Sequence, residues 1–114
     1  MHEYSIVQAL IEQCESQAQQ HHATEVSKVV IKIGILSGVE PYLLEMAFAT
    51  FKETSSVCRT AQLEMLIQAV EILCNDCGQA SCLTEHHYVC PKCQSAAVSI
   101  TDGEEMFLMQ LEME

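Results

Sequence analysis

Two short motifs, CNDC at residues 74–77 and CPKC at residues 90–93, are separated by twelve residues. Each Cys-x-x-Cys knuckle can place two thiolates along one edge of a tetrahedron. Two knuckles together complete a four-thiolate shell with no open coordination position, which is typical of a structural zinc site. The spacing therefore predicts one zinc ion per chain, held by Cys74, Cys77, Cys90 and Cys93.

The alternatives for these four residues are two disulfides or four unligated thiols. The sequence begins Met1-His2-Glu3 without the basic segment of a secretory signal, so we expect no export and a cytoplasmic location. Seven cysteines, an odd number, also suit a reducing compartment. We expect Cys14, Cys58 and Cys82 to be free thiols that pack in an apolar setting.

Size and charge limit the classes of function. A chain of 114 residues can form one modest core and a small metal-stabilised lobe, and its apolar runs fall short of the roughly 18 residues of a membrane span. Five Lys and Arg residues against sixteen Asp and Glu give a formal net charge of −11. Phosphate backbones attract basic surfaces, so this balance argues against nucleic acid and suits cations or a basic protein partner. The alternative explanation is that the acidic charge only aids solubility.

Hydrophobic periodicity predicts two helices and several strands. Residues 5–20 carry apolar side chains at helical spacing, and Pro41 opens a second helix that extends to about residue 54. Residues 28–35 alternate with period two, which is typical of a strand. A second strand is expected from residue 61 towards residue 73, an extended run begins at Val98, and residues 107–113 alternate as the closing strand.

These elements predict an α+β fold with two helices packed on one face of a small, mostly three-stranded sheet. The zinc ribbon is then an inserted lobe of residues 73–95, and residues 1–72 and 96–114 form a discontinuous helix–sheet domain. The ribbon sequence is polar and supplies little hydrophobic core, so we expect zinc binding to contribute most of its folding free energy.

Three segments in register resemble one known family. The N-terminal sequence MHEYSI at residues 1–6, LSGVEP at residues 36–41 and the four-cysteine ribbon occur in the order found in the HypA/HybF family of nickel metallochaperones. The resemblance spans essentially the whole chain, including the closing strand after Gly103. It implies a nickel-binding lobe made of the two helices and the sheet, with the zinc ribbon beside it.

The resemblance also places the nickel site at the start of the chain, where the matching residues are Met1, His2 and Glu3. The chemistry is consistent with this placement. A free α-amine, the backbone nitrogens of residues 2 and 3 and the His2 imidazole can chelate one ion in fused rings. Four nitrogen donors in a plane suit Ni(II), and the carboxylate of Glu3 is expected to remain a neighbour of the metal or of a helix N-terminus.

The function implied is delivery of Ni(II) for [NiFe]-hydrogenase maturation, with urease as a further recipient. The implied partners are a GTPase of the maturation system, the hydrogenase large subunit and a urease accessory protein, and a homodimer is a further candidate. No enzymatic activity is expected, since a closed thiolate shell leaves no site for water. The alternative function is a zinc-ribbon adaptor or scaffold without a nickel role.

Some residues raise further questions. Cys82, His86 and His87 lie within the ribbon and could take part in metal exchange, although a solvated loop is the expected setting. The pair His21-His22 is likewise expected to be an exposed loop. Gln94 follows the second knuckle where the family commonly has Gly, so that turn is expected to be strained or differently closed.

Overall fold

A computed structural model describes residues 2–83 and 87–114. Met1 and His86 lie outside the described residues, and His2 is described by its backbone. The helices and strands, in chain order, are α1 (His2–Gln20), β1 (Val26–Gly34), α2 (Pro41–Phe51), a 3-10 helix (Lys52–Thr54), β2 (Gln62–Gln68), β3 (Val70–Cys74), β4 (Ala80–Leu83), β5 (Val98–Asp102) and β6 (Met106–Met113). In the described part of the chain, no helix is long and apolar enough to cross a membrane.

The first sheet has the order β2-β1-β6, with β1 parallel to β2 and antiparallel to β6. Alternate residues of β1 point into a core shared with both helices, because period-two alternation gives this strand one apolar face. The residues of β1 in this core are Val26, Val29, Ile31 and Ile33. The helices contribute Val7, Leu10, Ile11, Cys14, Ala18, Leu44, Ala47 and Phe48. The predicted α+β fold, with two helices covering one face of a three-stranded sheet, is confirmed.

The second sheet has the order β4-β3-β5, and both of its strand pairs are antiparallel. Its buried core is small and consists of Val70, Ile72 and Leu83. The prediction of one continuous strand from residue 61 towards residue 73 was wrong, since the chain leaves the first sheet after Gln68 and enters the second at Val70. The extended run at Val98 likewise pairs with β3 and belongs to this second sheet.

The closing strand β6 contains an irregularity that changes which side chains face the core. Val30 of β1 pairs with Gln110, whereas the next residue, Ile31, pairs with Leu108, so Met109 is the extra residue of a bulge. Alternation alone placed residues 107, 109, 111 and 113 on one face. Phe107 and Met109 are instead exposed, and the residues packed on the core are Met106, Leu108, Leu111 and Met113.

The two sheets meet where the backbone segments at Gly34, Ala69 and Gly103 pass close to one another, a place that we call the backbone crossing. A Cβ added to Gly34 would lie 2.3 Å from the carbonyl carbon of Gly103, and one added to Gly103 would lie 2.8 Å from the Ala69 carbonyl oxygen. The Leu36 amide donates to the Gly103 carbonyl at 2.9 Å. At this crossing Lys32 of β1 donates to Asp102 of β5 at 2.7 Å, which lowers the pKa of that carboxyl.

The cysteines outside the knuckles fall into two groups. We call the helices and the first sheet the first lobe, and the second sheet with the two knuckles the second lobe. Cys14 and Cys58 are fully buried in the core of the first lobe, as predicted for packing residues. Cys82 lies on β4 and is exposed, so the expectation that it packs in an apolar setting was wrong. The period-two pattern explains the difference, because Cys82 faces away from the small core that its neighbour Leu83 enters.

We predict that Gly34→Ala destabilises the protein by about 3 kcal/mol, since the added methyl group meets backbone atoms that cannot turn away. Gly38→Ala is the matched control. Gly38 has φ +78° and nothing within 4 Å of its added Cβ, so the substitution costs about 1 kcal/mol from backbone conformation alone. Chemical unfolding followed by circular dichroism measures both, and equal losses would contradict a crowded crossing.

Candidate metal centres

The two knuckles have the same backbone geometry. In the first, the Gly78 amide donates to the Cys74 carbonyl at 3.0 Å and the Cys74 amide donates to the Gln79 carbonyl at 2.9 Å. In the second, the Gln94 amide donates to the Cys90 carbonyl at 2.8 Å and the Cys90 amide to the Ser95 carbonyl at 2.9 Å. Each knuckle is therefore a tight turn that brings its two sulfurs to one side.

The structure brings the four predicted cysteines into one cluster. Their Sγ atoms all lie within 4.8 Å of one another, and the Cys74–Cys93 and Cys77–Cys90 pairs are separated by 3.6 Å. A tetrahedral zinc ion with Zn–S bonds of about 2.3 Å requires sulfurs about 3.8 Å apart. The cluster therefore fits a four-thiolate zinc site, and the separation of each pair is too long for a disulfide bond.

Backbone hydrogen bonds hold the pKa of two of the four cysteines below the usual thiol value. The Cys77 amide approaches the Cys74 sulfur at 3.4 Å and lowers the pKa of Cys74. At Cys90, the amides of Cys93 and Lys92 lower the pKa to about 7. The Ser95 amide acts in the same direction at Cys93, but burial and the neighbouring sulfurs outweigh it and raise that pKa to about 12. Anionic sulfurs this close together need a cation between them, which a divalent metal supplies.

The residue that follows each knuckle has a left-handed backbone conformation. Gly78 has φ +76°, and Gln94, at the equivalent place, has φ +66°. The expected strain in the turn at Gln94 is therefore present, since a side chain in this region costs about 1 kcal/mol. The Ser95 hydroxyl donates to the Asp76 carboxylate and so ties the second knuckle to the first.

The N-terminal residues lie where the two helices meet. Helix α1 begins at His2, and the next residue, Glu3, is 7 % exposed. The Glu3 carboxylate accepts a hydrogen bond at 3.3 Å from the amide of Glu40, which is the N-cap residue of α2. The contact between Glu3 and Glu40 could not be predicted from the sequence, because residues 37 positions apart leave no local signal. A pocket of about 440 Å³ lies beside this start, lined by Ser5, Ile6, Ser37, Gly38 and Val39.

The other histidines within the described residues are exposed. His21 and His22 form an exposed turn after α1, as expected from the sequence. His87 is exposed, and the four-cysteine cluster forms without it and without Cys82. The structure therefore brings together the four zinc candidates, and it places His2 and Glu3 in the first turn of α1.

Comparisons with known proteins agree along the whole chain. A family model described as "Hydrogenase/urease nickel incorporation, metallochaperone, hypA" matches residues 1–113. A hydrogenase maturation factor HypA from Shewanella baltica (strain OS185) is 57% identical over 114 residues, covering all of this chain and 97% of the relative. The HypA of Aquifex aeolicus (strain VF5) is 50% identical, with coverage of 100% and 98%.

Solved structures of similar proteins have the same fold. The solution structure of the Ni metallochaperone HypA from Helicobacter pylori superposes with a TM-score of 0.71 at 41% identity, covering 97% of this chain and 96% of the other. A second structure, a solution structure of a HypA protein, gives a TM-score of 0.78 at 43% identity, with coverage of 100% and 97%. The chain belongs to the HypA family of nickel metallochaperones for hydrogenase maturation.

Proposed function

We propose that this chain binds Ni(II) at its N-terminus and delivers the ion for maturation of [NiFe]-hydrogenase. A structural zinc ion stabilises the second lobe, which contains the two knuckles. The observation that carries the proposal is the start of α1 at His2. The first amides of an α-helix have no intrahelical acceptor. The backbone nitrogens of His2 and Glu3 belong to this first turn, and, as neighbours along the chain, they can chelate one metal ion in a five-membered ring.

The nickel donors are all nitrogens of the first three residues. The α-amine of Met1, the amide nitrogens of His2 and Glu3 and the His2 imidazole form fused chelate rings around one ion. Ni(II) favours such a tetragonal set of nitrogen donors, whereas zinc favours the tetrahedral thiolates of the knuckles. Two amide protons must leave on binding, so affinity falls as the pH falls.

The contact between Glu3 and Glu40 supports a defined position for this terminus. The carboxylate of Glu3 is directed to the N-terminus of α2, where a negative charge is stabilised by the helix dipole. Its side chain thus holds the first turn of α1 against α2. This turn is consequently packed next to both helices.

The zinc ion has a structural role in this proposal. The second lobe buries few apolar side chains, chiefly Val70, Ile72 and Leu83. These three residues are a small core for a unit of about thirty residues. Small domains with such cores depend on a metal or a disulfide for stability. A closed shell of Cys74, Cys77, Cys90 and Cys93 leaves no position for water, so the lobe has a structural rather than a catalytic site.

The partners in this proposal are a GTPase of the maturation system and the hydrogenase large subunit. The chain itself has no Gly-Lys-Ser/Thr phosphate-binding loop, so nucleotide hydrolysis belongs to the partner. A urease accessory protein is a further recipient in organisms that contain urease. We place the process in the cytoplasm, where the thiolates stay reduced, and include a homodimer as a further assembly.

We predict that a Cys74→Ser, Cys93→Ser double variant loses its zinc, from about one ion per chain to nearly none. Its second lobe should unfold, while the helical circular dichroism signal of α1 and α2 is retained, because the first lobe has its own core. Elemental analysis of the desalted protein measures the zinc content. Cys82→Ser is the control, since this exposed cysteine lies outside the cluster, and tight zinc binding by the double variant would rule out the site.

We predict that His2→Ala abolishes specific nickel binding and leaves zinc content and fold unchanged. A Gly placed before Met1 should do similar damage without removing any side chain, because it moves the α-amine out of the fused rings. Absorption spectroscopy during titration with Ni(II) reports both the stoichiometry and the square-planar geometry.

His21→Ala is the control for a nonspecific histidine effect, since His21 lies in the exposed turn after α1. Unchanged affinity and an unchanged spectrum in the extended variant would show that the terminal amine is not a ligand. Nickel binding by all three variants would move the proposed nickel ligands elsewhere, with His22 and His87 as the next candidates, whereas no specific nickel binding by the unaltered chain would favour the zinc-ribbon adaptor.

A further inference from the structure

Helix α2 has an exposed side that is unusually apolar. Tyr42, Leu43 and Met46 are 66 %, 41 % and 51 % exposed, and Ala49 continues the same side one turn later. Glu45 is the only charged residue among the eleven of this helix. The opposite side is already committed, because Leu44, Ala47 and Phe48 are buried in the core. A helix that is apolar on all sides is normally buried on all sides.

Helix α1 packs against α2 and provides a comparison within the same layer. Its exposed positions are mainly glutamine, glutamate and serine, including Gln8, Glu12, Gln13, Ser16 and Gln19. The two helices share one solvent-facing layer but differ in what they present to it. Solubility alone therefore does not explain the exposed side of α2, and contiguous apolar surface of this kind marks an interaction site.

The exposed side of α2 adjoins the N-terminus of the chain. Tyr42 lies two residues after Glu40 in the sequence. The Glu40 amide donates a hydrogen bond to the Glu3 carboxylate. Tyr4 of α1 is itself 44 % exposed and packs edge-on against Phe51 at the end of α2, with ring centroids 5.4 Å apart. A molecule seated on α2 therefore lies next to the residues proposed to hold nickel.

The charges around this surface select one kind of occupant. Residues 1–27 and 33–51 contain no Lys or Arg, whereas Glu12, Glu40, Glu45 and Glu53 are exposed on or next to the helical layer. The Lys52 ammonium donates a hydrogen bond to the Ala61 carbonyl and lies over the Phe48 ring. A second copy of the chain would bring its own charge of −11 against the same acidic layer. Charge complementarity instead favours a basic partner.

We propose that the exposed side of α2, formed by Tyr42, Leu43, Met46 and Ala49, is the docking surface for a partner segment that carries apolar side chains flanked by Lys or Arg. The segment belongs to the protein that exchanges nickel with this chain, so the inference rests on the proposed function. Its apolar side chains cover α2, and its cations face Glu45 and Glu40. Docking brings the partner beside the N-terminal residues.

The test uses the purified GTPase of the maturation system as the probe and measures its affinity for the zinc-loaded chain by isothermal titration calorimetry. The Tyr42→Gln, Met46→Gln double variant should bind at least tenfold more weakly. The control is Leu66→Gln, Met109→Gln, which changes two residues of similar exposure, 46 % and 52 %, on the open face of the first sheet and its β6 bulge. It should bind like the unaltered chain.

A charge variant tests the stated chemistry of the partner. Glu45→Lys should weaken binding severalfold, and the loss should shrink at high salt, because screening reduces the interaction of exposed charges. Glu104→Lys, in the exposed turn before β6, is its control and should change affinity much less. Tighter binding by Glu45→Lys would overturn the proposal of a basic partner.

Other outcomes would also overturn the docking proposal. These are no measurable binding by the unaltered chain, equal losses in the Tyr42/Met46 variant and its control, or a dimer of this chain that the Tyr42/Met46 variant dissociates in sedimentation. Nickel titration of the same variants is a separate readout, and unchanged nickel binding is expected. Loss of nickel binding in His2→Ala tests the proposed function, whereas loss of GTPase binding with nickel binding intact tests the docking surface.

Discussion

The contact on which the rest of the structure depends is the backbone crossing of Gly34, Ala69 and Gly103. Three segments distant in sequence pass within van der Waals distance there, and a Cβ at either glycine would meet backbone atoms. Because these segments approach so closely, β1 can pair with both β2 and β6 while the chain leaves the first sheet after β2 and enters the second sheet at β3. The Lys32–Asp102 ion pair spans the same place and joins the two sheets electrostatically.

The two lobes obtain their stability from different sources. The first has a continuous core of α1, α2 and β1, and its order follows from apolar burial. The second has a minimal core and two knuckles whose amides are directed at the sulfurs, and its four cysteines fit a structural metal site. In the proposed function, the N-terminus of the first lobe holds a second, differently coordinated metal.

The helical layer combines features that suit transfer of a cation. Its charges are acidic, which attracts Ni(II) and a basic partner alike. Helix α1 begins at His2, and the carboxylate of Glu3 fastens this first turn to α2. The apolar side of α2 begins two residues after that contact, so the proposed nickel site and the proposed docking surface adjoin each other.

The local elements and the four-cysteine cluster could be predicted from short stretches of the sequence. Helical spacing, period-two alternation and paired Cys-x-x-Cys motifs are signals confined to a few neighbouring residues, so α1, β1, α2 and the knuckles could be predicted. Only the tertiary structure decided where strands changed sheets and which residues of β6 faced the core. The break at Ala69, the bulge at Met109, the burial of Glu3 against Glu40 and the exposure of Cys82 depend on contacts between distant residues. Periodicity carries no information about such contacts, because each is fixed by the packing of the partner segment.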